Sequence, residues 1–154
     1  MIDVATDGTP LIGALVRRPT EAVHLRILRE AHDAGFADLV PAHLAVLRYP
    51  GPSGRRPSDL AAEIGSTKQA MNYLLGQLES LDYVRRIDDS EDQRSKRVQL
   101  TERGESLRQV IRRTVTRIEK ELEAELGPSS YAQLRDLLVR LNATDTIRSE
   151  RNTP

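Results

Sequence analysis

Apolar residues recur every three or four positions through most of the chain, a period that predicts helices. Leu11, Ile12, Leu15 and Val16, then Val23, Leu25, Ile27 and Leu28, give a helical stretch from Pro10 to Ala34, with Gly35 as its C-terminal stop. Pro19 lies inside that stretch. Proline removes a backbone donor and clashes one turn back, so it either kinks one long helix or opens a second; we read one kinked helix. Pro41 opens a short helix through Leu44, Ala45 and Leu47, closed by the loop cluster Pro50-Gly51-Pro52-Ser53-Gly54. In Arg56–Gly65 the spacing of Leu60, Ala61 and Ile64 is again helical, and Gly65 forces a tight turn. The helix after it puts Met71, Leu74, Leu75, Leu78 and Leu81 on one face.

Beyond Asp82 the period shortens. Tyr83–Ile87 and Lys96–Leu100 read as paired strands, and the polar run from Asp88 to Ser95 reads as the loop of their hairpin. Thr101 is placed to cap the next helix, with Glu102 at its positive end. That helix is long: Leu107, Ile111, Val115, Ile118, Leu122 and Leu126 mark one stripe until Gly127-Pro128. A last helix carries Tyr131, Leu134, Leu137, Leu138 and Leu141, and the polar tail 144–154 is expected to be disordered. The fold class is therefore mainly α with a small β-hairpin.

Charge and composition narrow the classes of function. The chain has 154 residues, 23 basic against 23 acidic, and no net charge. A bulk polycation is excluded, so any nucleic-acid contact must come from locally placed charge. The balance is a sum of opposed blocks, with acid at 88–92 and base at 94–97. One Phe, four Tyr and no Trp leave too few rings for a single-strand stacking platform. The absence of cysteine removes disulfides, thiolate metal sites and thiol catalysis together. No signal-peptide order opens the sequence, and no apolar run nears the roughly 20 residues of a membrane span, so a cytoplasmic protein is expected.

Two short helices joined at Gly65 and followed by a hairpin form the layout of a winged helix-turn-helix lobe. The first helix braces the second, and the second is narrow enough to enter a major groove. With the apolar face fixed at Met71, Leu74, Leu75 and Leu78, the residues Gln69, Asn72, Tyr73 and Gly76 form one exposed stripe. Gln and Asn amides can pair with adenine in bidentate fashion. Gln69 has a competing role, since Ser66-x-x-Gln69 has the spacing of a capping box; if Thr67 is the N-cap, Gln69 is free to reach a base. Lys68 at the helix start is placed for a phosphate. Gly76 costs roughly 1 kcal/mol in a helix interior, which suggests that something approaches closely there.

The hairpin and its surroundings resemble those of MarR-type regulators. The segment Asp88-Asp89-Ser90-Glu91-Asp92-Gln93-Arg94-Ser95-Lys96-Arg97 is similar to the wing of that family, with its Asp-x-Arg element, apolar strand and Leu100-Thr101-x-x-Gly104 helix start. Leu60-Ala61 through Gly65, and Leu78-Glu79 before the strand, match in order and spacing, so the resemblance spans residues 10–143. It implies a homodimer whose helical dimerisation region is formed by 8–35 and 102–143. The DNA-binding lobe would be 36–101, reading double-stranded DNA at a pseudo-palindrome. Arg94 would be the wing-tip residue in the minor groove, oriented by Asp92. The candidate DNA contacts are therefore Thr67, Lys68, Gln69, Asn72, Tyr73, Arg94, Lys96 and Arg97. The sequence departs from the family at Ser66, Asn72, Tyr73 and Asp82, so the family's base-reading code does not carry over.

Members of that family hold small-molecule effectors between the dimer helices and the lobe, which would place His24, Arg26 and Tyr49 near such a ligand. No metal or cofactor is expected, because His24 and His32 are two helical turns apart and no third ligand converges on them. An enzyme is not expected either: the chain has no phosphate-cradling glycine loop or nucleophile arrangement, and the acidic hairpin cluster is read as exposed. For Arg85 and Arg86 an alternative to a nucleic-acid contact is a salt bridge to Asp88 and Asp89. The competing reading is a winged-helix protein-interaction module that does not bind DNA.

Overall fold

The structure, a computed structural model, describes residues 7–47, 54–89 and 95–147. The elements are α1 (Ile12–Asp33), α2 (Pro41–Leu47), α3 (Pro57–Ile64), α4 (Lys68–Ser80), β1 (Val84–Asp88), β2 (Lys96–Leu100), α5 (Glu102–Leu126) and α6 (Pro128–Asn142). The chain divides into two compact units, Met1–Val115 and Thr116–Pro154, with α5 contributing residues to both.

In the first unit α1 runs as one helix through Pro19, where the Thr20 hydroxyl donates to the Val16 carbonyl at 2.9 Å. It ends where Gly35, at φ +98°, turns the chain so that Phe36 N–H reaches the Ala31 carbonyl. The core draws Ile27 and Ala31 from α1, Leu44 and Leu47 from α2, Leu60 from α3, Leu75 and Leu78 from α4, Val98 from β2 and Leu107 from α5. A fully buried aliphatic side chain of this kind contributes roughly 1.5–3 kcal/mol, so α4 is held by its inner face while its outer face stays free.

The hairpin pairs Val84 with Leu100 and Asp88 with Lys96 in antiparallel register. Arg55 adds a single bridge to Val98, with N–H···O bonds of 2.9 and 2.7 Å in the two directions. The first strand begins one residue later than the sequence suggests. Asp82 stands at φ +60°, and Tyr83 N–H bonds back to the Leu78 carbonyl, so Tyr83 ends the α4 turn instead of opening the strand. Its fully buried ring lies 6.1 Å from that of Phe36, and the Arg103 guanidinium sits 4.4 Å over its face.

Asp38 completes this cluster, accepting from the Tyr83 hydroxyl and pairing with Arg103 at 2.8 Å. Burial presses the Asp38 carboxyl upward, but hydrogen bonds from Tyr83 and Arg103 and the Arg103 charge outweigh it and hold the group below the usual carboxylate range. The Tyr83 phenol is pushed above its ordinary value by burial and by its bond to Asp38.

In the second unit α6 buries none of its residues. Leu134, Leu137, Leu138 and Val139 are exposed along it, while Arg135 pairs with Glu119 at 2.9 Å. After α6 the chain makes a further helical turn, in which Ile147 N–H bonds to the Thr144 carbonyl at 3.2 Å. The remainder, 148–154, lies outside the described residues.

Candidate nucleic-acid interface

The turn between α3 and α4 decides what the start of α4 can do. Gly65 is left-handed at φ +66°, its N–H meets the Ala62 carbonyl, and the Ser66 N–H meets the Ala61 carbonyl at 2.9 Å. This Schellman arrangement closes α3 and occupies Ser66 as part of the turn. The N-cap of α4 is therefore Thr67, whose side chain accepts from the Ala70 N–H at 3.1 Å. Thr67 has a structural duty, and Gln69 is released from the capping alternative and stands exposed. Lys68, the first residue of the helix, is exposed beside it.

Further along α4, Asn72 is half-buried and Tyr73 is 68% exposed. Lys68, Gln69, Asn72 and Tyr73 thus share one helix, with Met71, Leu75 and Leu78 buried behind them. A Cβ built on Gly76 meets nothing within 4 Å, so nothing inside the folded unit requires glycine there. Beside this face is an open groove of about 720 Å³ lined by Val40, His43, Asn72, Tyr73, Gly76 and Gln77, among others.

In the hairpin the ion pairs differ from those read in the sequence. Asp88 pairs with Lys96, while Arg86 pairs with Glu79 at 3.3 Å and Arg85 bonds Gln99. Asp89 is 1% exposed and is held by Arg56 Nε at 2.7 Å and Arg97 Nε at 3.1 Å, with its own N–H bonded to the Ser95 carbonyl. The acidic cluster is therefore not uniformly a solvated loop. The reason is that Arg56, 33 positions earlier, folds against the hairpin base and gives a buried carboxylate the partner it requires. Of the candidate contacts, Lys96 is exposed but paired, and Arg97 is half-buried against Asp89. Arg94, with Asp92, lies outside the described residues.

His24 and Arg26 are half-buried on α1, two positions apart and so on different helix faces, and Tyr49 lies outside the described residues. Among the described residues no group of three or more His, Cys, Asp or Glu could hold a metal ion. None of the described helices is long and apolar enough to cross a membrane. The sequence placed Asp89 in an exposed acidic cluster and did not single out Arg56, His43 or Gln77; of these three only Gln77, a polar residue four positions after Tyr73 on the same helix, carried a local signal.

Residues 37–95 match the model of the MarR family. Over these residues the chain is similar to MarR-family transcriptional regulators. The family model spans α2 to β1 and stops just before β2, and the solved structures extend the likeness to most of the chain. The transcriptional repressor CouR, bound to a 23-mer DNA duplex, is 25% identical with a TM-score of 0.67, over 85% of this chain and 92% of that one. CouR from Rhodococcus jostii RHA1 bound to p-coumaroyl-CoA is 25% identical with a TM-score of 0.66, over 82% and 88%. The transcriptional regulator PA3341 is 25% identical with a TM-score of 0.69, over 86% and 96%. No curated protein sequence matches the chain.

Proposed function

We propose that this chain is a non-enzymatic, cytoplasmic, homodimeric repressor of the MarR family that binds a pseudo-palindromic operator in double-stranded DNA and is released by a small-molecule effector. The observation that carries the reading is the free outer face of α4, capped by Thr67 and presenting Lys68, Gln69, Asn72 and Tyr73, beside a hairpin braced at Asp89. The α4 face would enter the major groove, with Lys96 and Arg97 near the backbone and Arg94 in the minor groove.

Dimerisation would use 8–35 and 102–143. In the first unit Leu11, Ile12, Leu15 and Leu25 expose apolar surface on and beside α1, and in the second Leu134, Leu137 and Val139 do so on α6. Apolar surface of this extent marks an interaction site. Two lobes would then meet half-sites about one helical turn, roughly 10 bp, apart. The CouR structures, one with DNA and one with p-coumaroyl-CoA, support a regulator that takes both kinds of ligand. An effector that favours a lobe spacing mismatched to the half-sites would draw the population away from DNA. His24, Arg26 and Tyr49 remain the residues proposed for it.

Arg94→Ala tests the wing. Gel shift on a bound duplex is expected to show an affinity loss of about tenfold, since a desolvated Arg contact contributes roughly 1–3 kcal/mol. Light scattering is expected to show an unchanged dimer. Full-strength binding by the variant would remove the wing from the interface.

A further inference from the structure

We infer that Tyr73 meets the duplex as a hydrogen-bond donor, with its direction set from inside the lobe by His43 acting through Gln77; the inference rests on the DNA-binding reading above. The His43 ring is 2% exposed on α2. Its Nδ1 receives the Val40 N–H at 3.4 Å, so this nitrogen is the acceptor of the ring. A neutral imidazole carries one proton, which therefore sits on Nε2. Nε2 lies 3.2 Å from Gln77 Oε1 and donates to it. With its oxygen engaged, the amide turns its NH₂ outward, and Gln77 Nε2 donates to the Tyr73 hydroxyl oxygen at 3.1 Å.

Each link in this chain fixes the polarity of the next. It begins at a backbone N–H that cannot reverse, and it ends on a phenol whose oxygen already accepts a bond. The remaining O–H of Tyr73 is thus left to donate, and the side chain is 68% exposed. On a duplex its partners are restricted to acceptors: phosphate oxygens, the N7 or O6 of guanine, the N7 of adenine or the O4 of thymine. The amino groups of cytosine and adenine are excluded. Holding the phenol before binding also lowers the cost of ordering it. His43 and Gln77 are positioning residues in this scheme, and Tyr73 alone makes the contact.

Gln77→Glu gives the sharpest test. A carboxylate keeps the volume and still accepts from His43, but it cannot donate, so it draws the Tyr73 O–H inward. It also adds a negative charge that repels DNA whatever residue stands at 73. A cycle with Tyr73→Phe separates the two effects. On a duplex selected from a random pool and with the full chain, Tyr73→Phe is expected to weaken binding about three- to tenfold, the range of one net hydrogen bond. Gln77→Glu is expected to cost about three- to tenfold more in the wild-type background than in the Tyr73→Phe background. Melting curves of all three variants are expected to match the wild type, because a merely structural role would change stability and leave the coupling at zero.

A Tyr73→Phe loss that is uniform across base substitutions identifies a phosphate acceptor, and one confined to a single base pair identifies a base edge. Equal cost of Gln77→Glu in both backgrounds, with a wild type that binds DNA, overturns the donor assignment alone. A wild type that binds no duplex overturns the DNA-binding reading, and the assignment falls with it.

Discussion

Gly104→Ala is expected to destabilise the protein by about 3 kcal/mol, even though alanine is the better helix former. Gly104 lies in the first turn of α5, where its N–H donates to the Thr101 hydroxyl oxygen at 3.0 Å. A Cβ there would stand 2.0 Å from the Tyr83 carbonyl oxygen and 3.0 Å from its carbon. That carbonyl cannot step aside, because it accepts the Thr101 N–H at 3.1 Å and belongs to the chain that enters β1. Relief would require α5 to move away from the hairpin. The gain in helix propensity is about 1 kcal/mol at most, so the backbone clash dominates. Thermal melting followed by circular dichroism is expected to fall by roughly 10 °C, on the scale of 2–4 °C per kcal/mol for a chain of this size. A midpoint within about 2 °C of the wild type would mean that α5 and the hairpin are not packed as described.

Asp89→Asn is expected to have the second largest effect, about 2 kcal/mol, because it removes the charge while keeping the shape. The carboxylate is buried between Arg56 and Arg97, at 2.7 and 3.1 Å. The side chains of the two arginines remain 37% and 24% exposed, so the variant strands no fully buried cation and the cost stays below that of breaking a buried pair outright. What is lost is the charge-assisted bond from Arg56 that ties the hairpin base to the start of α3, together with the Arg97 ion pair inside the hairpin. Salt separates this pair from surface pairs such as Lys96 with Asp88, which are screened. The stability difference between wild type and Asp89→Asn is expected to persist in 1 M salt, where the Debye length is about 3 Å. A difference that disappears there would place Asp89 in solvent.

Most elements were legible because their signals are local. The helical period, the stops at Gly35 and Gly127 and the change of period after Asp82 all reside within a few residues. The limits of the reading are equally physical. Ser66 and Thr67 offered the same capping chemistry, and only the left-handed turn at Gly65, which takes the Ser66 N–H, decides between them. Tyr83 looked like a strand residue because aromatic residues suit strands. Its burial against Phe36 and its bond to Asp38 depend on partners more than 40 positions away.

The same holds at the candidate interface. The apolar face of α4 fixed its outer face by subtraction, so Gln69, Asn72 and Tyr73 could be named from spacing. The relay through His43 could not, since Gln77 and His43 are 34 positions apart and neither is unusual on its own. The neutral charge total had a similar limit. It is a sum of opposed blocks, and the fold spends part of the hairpin's charge internally: Arg97 on Asp89 and Lys96 on Asp88. Non-specific affinity for DNA is accordingly expected to be modest, with operator binding dependent on two small basic patches placed at once.

Selection of bound duplexes from a random pool by the purified protein tests the central claim most directly. Enrichment of an inverted repeat whose half-sites are centred about 10 bp apart is expected, with affinity that falls steeply as salt rises. A pool that emerges unenriched, or one enriched in a single unrepeated site, would contradict a dimer that reads DNA through the face of α4.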